Sequence, residues 1–265
     1  MRLHVLGCSG SDLPGYNLTS FLVNKTLLLD AGSVTSSMPL AEQAAIQEIL
    51  VTHAHLDHIK DILFLADNLI ELVARNEHGA VRLRGLAPVL ESIRTHLLND
   101  TIWPDFTILP TFANPVLTYA PLEPGVWEDV TGLRAVTVPV NHATAASGYV
   151  LRDPTSGSHF AFTGDTGPTD DWWTFLNELP FDLENLIIEA SFPDAMEELA
   201  LLSKHLTPRL LRAELDKLHA RPNGRPKIYI SHMKSTFSTE IQEELHQALD
   251  GYTYHLLRDG EEIVF

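Results

Sequence analysis

Thr52-His53-Ala54-His55-Leu56-Asp57-His58 carries four potential metal ligands within six residues, directly behind the apolar segment Ile49 to Thr52. Side chains of an extended backbone alternate faces, so residues two apart share one. His53 and His55 can therefore converge on one ion. The mostly apolar run from Ile59 to about Asn76 predicts a helix, so Asp57 and His58 sit at its start and point elsewhere. That geometry offers two adjacent sites. Imidazole suits zinc, iron and other transition ions, and a carboxylate adds a harder donor. A histidine-rich surface loop is the bland alternative in a chain with 13 histidines. The spacing at a strand end favours ligands.

Two ions need further donors, and three follow later strands. His142 follows Leu133 to Val140, Asp165 follows Phe160 to Thr163, and His232 follows Ile228 to Ile230. A lone histidine after a strand is ordinarily structural. Repeated placement at strand ends is harder to explain that way.

Around these segments the chain reads as strands then helices, twice over. Leu3 to Leu6, Ser20 to Val23 and Thr26 to Leu29 are strand candidates, with Ala41 to Glu48 helical behind them. Val81 to Leu83 reads as a strand and Pro88 to Leu98 as a helix, and Asn99 to Gly132 as loops and short strands. Leu133 to Val140, Gly148 to Leu151 and His159 to Thr163 are strands, followed by a helix at Asp170 to Glu178. Leu186 to Glu189, Ile228 to Ser231 and Glu261 to Phe265 are further strands. Helices are expected at Asp194 to Ser203, Pro208 to His219 and Thr239 to Leu249, and a loop at 221–226. Two sheets face to face with helices outside follow: an α/β chain folded as a four-layer αββα sandwich, one domain over 1–265.

Hydrophobic residues make up 45% of the 265 and charged residues 20%, which excludes a disordered chain. No run approaches a membrane span. Lys plus Arg is 18 against 35 Asp plus Glu, a formal charge of −17. Nucleic-acid affinity comes largely from cations neutralising phosphates, so extended DNA or RNA is not an expected partner. A small anion remains compatible where metal ions reverse the local field. The lone cysteine, Cys8, permits no intrachain disulfide, and no signal-like stretch precedes it. A cytoplasmic location is expected, with no membrane partner; oligomeric state is not legible.

The His-x-His-x-Asp-His motif, a later histidine, a Gly-Asp and a final histidine resemble the metallo-β-lactamase superfamily. The resemblance implies that His53, His55 and His142 hold one divalent ion, that Asp57, His58 and His232 hold a second, and that Asp165 bridges both. Zinc is the first expectation, with iron or manganese also accepted by such ligands. Leu29-Asp30-Ala31-Gly32 matches as well, with Asp30 orienting the ligand loop and Gly32 permitting a tight turn.

A narrower resemblance is to class II cyclic-nucleotide phosphodiesterases. It rests on His53-Ala-His-Leu-Asp-His-Ile, Phe162-Thr-Gly-Asp-Thr-Gly, Ile188-Glu-Ala-Ser-Phe-Pro, Ser203-Lys-His-Leu-Thr-Pro and Ile230-Ser-His-Met-Lys. Asp61 departs from it, standing where the signature usually has glycine or serine, on the substrate-side half of the match. The resemblance implies hydrolysis of 3′,5′-cyclic nucleotides, cAMP or cGMP, to 5′-nucleotides by a metal-bridging hydroxide. Asp165, His205 and Glu189 would be catalytic, with Glu189 supporting His205 as proton donor to the leaving oxygen. The alternative is a hydrolase of another bond on the same fold: an RNA-processing nuclease, another phosphodiesterase, or a carboxylic ester, thioester or lactam hydrolase. A non-catalytic metal-binding or redox module is a third reading. Trp172-Trp173 reads as a core-facing helix stripe rather than a base-stacking platform. Phe192, Met233 and Asn68 are candidates to line the pocket.

Overall fold

The computed structural model of the chain describes residues 1–219, 222 and 224–265; the loop expected at 221–226 therefore lies partly outside the described residues. One seven-stranded sheet runs, edge to edge, Glu262–Val264, Arg2–Gly7, Ser20–Val23, Leu27–Leu29, Glu48–Leu50, Val81–Gly85 and Leu117–Pro121. The other runs Tyr254–Leu256, Lys227–Ser231, Asn185–Glu189, His159–Phe162, Ser147–Arg152, Leu133–Pro139 and Trp127–Val130.

The period-two rule sorts their side chains into layers. Leu27 and Leu29 face the opposite sheet, joining Leu3, Val5, Phe21, Leu50, Tyr149, Phe160 and Phe162 in the central layer. Leu28, between them, turns outward with Leu22, Ile49 and Val51 onto the helix Leu56–Ala74. That helix buries Ile59, Ile62, Ala66, Leu69 and Val73, spaced three or four apart along one stripe. The second sheet repeats the scheme: Val136, Val150, Ala161, Ile188 and Ile230 meet Trp172, Leu176, Leu211, Leu215, Ile241 and Leu245. These come from the helices Asp171–Asn177, Pro208–Leu215 and Ser238–Ala248. Helices lie outside both sheets, which gives the expected αββα order. Among the described residues no helix is long and apolar enough to cross a membrane.

Several elements differ from the sequence reading. The helix expected at Ala41 to Glu48 stops after Leu40–Gln43, and Glu48 opens a strand. Glu48 is fully buried and pairs with Arg82 and Arg84 on the neighbouring strand, a long-range demand that overrides local helix preference. The helix expected at Asp194 to Ser203 is a 3₁₀ turn, Asp194–Met196, running into Glu197–Ser203. The stretch Asn99 to Gly132 supplies edge strands to both sheets, Leu117–Pro121 and Trp127–Val130. Tyr254–Leu256 is a strand the sequence reading did not include; it pairs in parallel with Lys227–Ser231. Trp172 and Trp173 are core residues. Trp172 packs on Gly148, where a Cβ would stand 2.6 Å from its ring, and Trp173 Nε1 donates to Glu214 Oε2 at 2.6 Å.

Candidate metal centre

The site grows from strand ends at one edge of the sandwich. His53 follows Glu48–Leu50, His142 follows Leu133–Pro139, Asp165 follows His159–Phe162, Glu189 closes Asn185–Glu189, and His232 follows Lys227–Ser231. The His53 segment is pinned across the sandwich. Ser147 N–H donates to Thr52 O at 3.0 Å and Tyr149 O–H to Val51 O at 2.6 Å. His55 remains extended (φ −75°, ψ 146°) as the cap before the helix Leu56–Ala74. Asp57 and His58 thus fall in that helix's first turn, as expected, where a carboxylate also suits the helix dipole.

Three ring nitrogens converge first. His53 Nε2 lies 3.0 Å from His55 Nδ1, which lies 3.1 Å from His142 Nε2. A second group surrounds Asp165. His58 Nε2 is 3.3 Å from Asp165 Oδ1, His232 Nε2 is 3.1 Å from Asp165 Oδ2, and Asp57 Oδ2 is 3.7 Å from His232 Nε2. Asp165 Oδ2 is also 3.7 Å from His53 Nε2, so this carboxylate stands between the two groups. His53, His55 and His142 form one set of potential metal ligands, and Asp57, His58, Asp165 and His232 another.

The far side of each ring fixes which nitrogen faces inward. His58 Nδ1–H donates to Asp30 Oδ2 at 2.7 Å. Thr52 Oγ1 donates to Asp30 at 2.8 Å, so it accepts from His53 Nδ1–H at 3.0 Å. His142 Nδ1–H donates to Lys204 O, and His232 Nδ1 meets Thr19 Oγ1, each at 3.0 Å. Four imidazoles therefore turn Nε2 toward one space. His58 Nε2, His232 Nε2 and Asp165 Oδ1 are buried there without a hydrogen-bond partner. Unpaired buried polar atoms are costly. These three atoms, together with the remaining residues of the two sets, seven side chains in all, fit divalent cations.

Electrostatics agree. Burial pushes His53, His55 and His142 below the ordinary histidine value, reinforced by neighbouring imidazoles. Burial takes His232 down to about 4. Burial alone would raise Asp57 and Asp165, but the adjacent histidines outweigh it and hold both below the carboxylate range, Asp165 far below. His58 goes the other way: burial disfavours its charge, yet Asp165 and Asp30 on either side raise it well above the usual value.

Glu189 and His205 meet beside this space. His205 Nδ1–H donates to Glu189 Oε1 at 2.8 Å, and Glu189 is wholly buried. Glu189 also accepts from Thr166 N–H at 2.7 Å, Leu206 N–H at 3.2 Å and Ser191 Oγ at 2.5 Å. Burial opposes protonation of His205, but the Glu189 carboxylate overcomes it and takes the imidazole up to about 9. His205, His142 and Asp165 each bring a ligand atom within 4.8 Å of the others. Thr207 holds the segment from beyond, its Oγ1 accepting from Leu210 N–H as the cap of Pro208–Leu215.

Asp30 occupies its expected supporting place. Gly32 differs in reason: its φ is not among the positive ones, and close approach is what it provides. A Cβ there would stand 2.0 Å from Asp57 O. Asp61 is buried. Its Oδ2 accepts from Val34 N–H at 2.6 Å and Thr35 N–H at 2.7 Å, tying the loop after Gly32 to the helix. Phe192 lies 5.8 Å from the His205 ring, whereas Asn68 bonds Gln43 at 2.9 Å instead. The supporting roles of Thr19, Thr52, Ser191 and Lys204 were not read from sequence. Thr52, Ser191 and Lys204 do sit inside or beside the quoted motifs.

A family profile described as cAMP phosphodiesterases class-II matches residues 37–250. A 3′,5′-cyclic-nucleotide phosphodiesterase of Aliivibrio fischeri is 28% identical, over 98% of this chain and 91% of its own. Among solved structures, unliganded yeast PDE1 superposes with a TM-score of 0.85 at 17% identity, over 100% of this chain and 99% of that one. The metallo-β-lactamase fold protein YhfI from Bacillus subtilis superposes with a TM-score of 0.75 at 14% identity, over 99% of each chain. The architecture is the metallo-β-lactamase fold, and the chain belongs to the class II cAMP phosphodiesterase family.

Proposed function

We propose that the chain hydrolyses 3′,5′-cyclic nucleotides to 5′-nucleotides at a centre for two divalent ions. His53, His55 and His142 would hold one ion, Asp57, His58 and His232 the other, with Asp165 between them. The imidazole-rich donor set suits zinc, and also iron or manganese. When bound, such ions supply Lewis acidity toward a phosphoryl oxygen and a water of lowered pKa.

The observation that supports this reading most is the buried Glu189–His205 pair beside the ligands. Hydrolysis adds a hydroxyl to phosphorus, breaks the bond to O3′, and leaves O3′ needing a proton. Glu189 takes His205 Nδ1–H, which leaves Nε2–H for that oxygen. Ser191 braces both: its hydroxyl donates to Glu189 and lies 3.3 Å from His205 Nδ1. Lys204 fixes the neighbouring ligand, since its carbonyl accepts from His142 Nδ1–H and its ammonium donates to His142 O at 3.0 Å. A −17 chain suits a small anionic substrate better than a nucleic-acid polymer.

Incubating ion-replete protein with 3′,5′-cAMP and separating the nucleotides tests the reading. 5′-AMP is the expected product. Formation of 3′-AMP, or no product with both ions bound, would overturn it.

A further inference from the structure

One cation beside the centre has no part in that scheme. Lys234 lies two residues after His232. Its backbone N–H donates to Ser191 O at 3.1 Å, fastening it to the residue that braces Glu189 and His205. Its half-buried side chain turns toward the loop after Arg2–Gly7, where Nζ donates to Gly10 O at 2.5 Å. Gly10 is packed on His232 so tightly that a Cβ would stand 2.9 Å from His232 Cδ2 and 3.0 Å from its Nε2. The ammonium therefore ends beside the second ligand group. Lys60 and Lys217 are paired with acids, whereas Lys234, like Lys25, Lys204 and Lys227, has no ion-pair partner among the described residues. What marks Lys234 is its place, since its charge acts on Asp57 of the second ligand group and on His205. A neutral carbonyl holds the ammonium in place without cancelling its charge, and the flexible four-carbon stem lets it change partner.

We propose that Lys234 binds the phosphate of the substrate, leaving the Gly10 carbonyl to grip a non-bridging phosphoryl oxygen of the cyclic nucleotide and later the phosphate of the product. The inference rests on the phosphodiesterase reading of the site. Its test uses three variants of the zinc-loaded protein: Lys234→Gln, Lys234→Met and Lys234→Arg. Glutamine keeps an N–H donor for Gly10 without a charge, so it separates loop fastening from phosphate binding. Inorganic phosphate is titrated into each by calorimetry, with metal content assayed on the same samples. Loss of a charge-assisted hydrogen bond is expected to weaken phosphate binding about tenfold to a hundredfold in the glutamine and methionine variants. The arginine variant should restore most of it, with metal content equal throughout. KM for cAMP should rise by a similar factor, with the loss in KM rather than kcat. Wild-type binding of phosphate by the glutamine variant would make Lys234 a loop fastener and overturn the proposal. So would weakened binding accompanied by lost metal, or no phosphate binding by wild type. Wild type that binds phosphate yet leaves cAMP intact would overturn the functional reading instead, and the variant comparison would still judge Lys234.

Discussion

Replacing His205 by glutamine isolates proton donation from the rest of the centre. Alanine would strand Glu189, a wholly buried carboxylate whose partner sits at 2.8 Å. Breaking such a pair costs about 3–5 kcal/mol and would mix folding with chemistry. Glutamine keeps an N–H donor for Glu189 but has no proton to transfer. In the ion-free chain burial opposes the imidazolium, yet Glu189 sets His205 at about 9. Two units above pH 7 leaves roughly 99% protonated. Bound cations lower that value, so the comparison turns on the leaving group instead. Departure of the ribose 3′-oxygen creates an alkoxide that needs a proton, whereas 4-nitrophenolate leaves without one. General-acid catalysis contributes about 10²–10⁴ in rate. At 1.36 kcal/mol per decade that is about 2.7–5.4 kcal/mol of the barrier. Initial rates on cAMP and on the 4-nitrophenyl ester of thymidine 5′-phosphate make the assay. The cAMP rate is expected to fall by about 10²–10⁴ and the nitrophenyl rate by less than about tenfold. Equal losses on both substrates, or an undiminished cAMP rate, would refute the proton-donor role.

Three further outcomes are expected. Asp30→Ala removes the acceptor of His58 Nδ1–H and Thr52 Oγ1–H, and metal affinity measured by chelator competition should fall about 10- to 100-fold; unchanged affinity would mean the ligand rings need no such support. Gly32→Ala places a Cβ against Asp57 O, and urea unfolding of the ion-free protein should show a loss of about 1–3 kcal/mol; a neutral result would mean that turn relaxes freely. Asp165 and Asp30 raise His58 well above the usual histidine value, which favours its protonated form in the ion-free chain. Calorimetry in buffers of different ionisation enthalpy should therefore register proton release from His58 on metal binding, and identical heats after buffer correction would contradict it.

The proposed ligands were legible because the fold places them at strand ends and the first four lie together. Local spacing marked His53 to His58; His142, Asp165 and His232 announced themselves by following apolar segments. The supports were not legible, because hydrogen bonds join residues remote in sequence. Thr19 braces His232 across 213 positions, and no local pattern encodes that contact. The structural work of Asp61, a departure from the signature, was not legible either, since its partners lie 26 and 27 residues back. Glu48 ended a helix-like run for a similar reason: its cations, Arg82 and Arg84, arrive on the next strand. Gly32 was marked by motif, but only the packed structure supplies its reason.

The most direct measurement is cAMP turnover followed while ion-free protein is titrated with zinc, bound ions being counted at each point. Turnover is expected to rise to a plateau at two ions per chain, and Asp165→Ala should abolish it together with tight binding of both. Full turnover at no ion or one, or an inactive protein with two ions bound, would contradict the account.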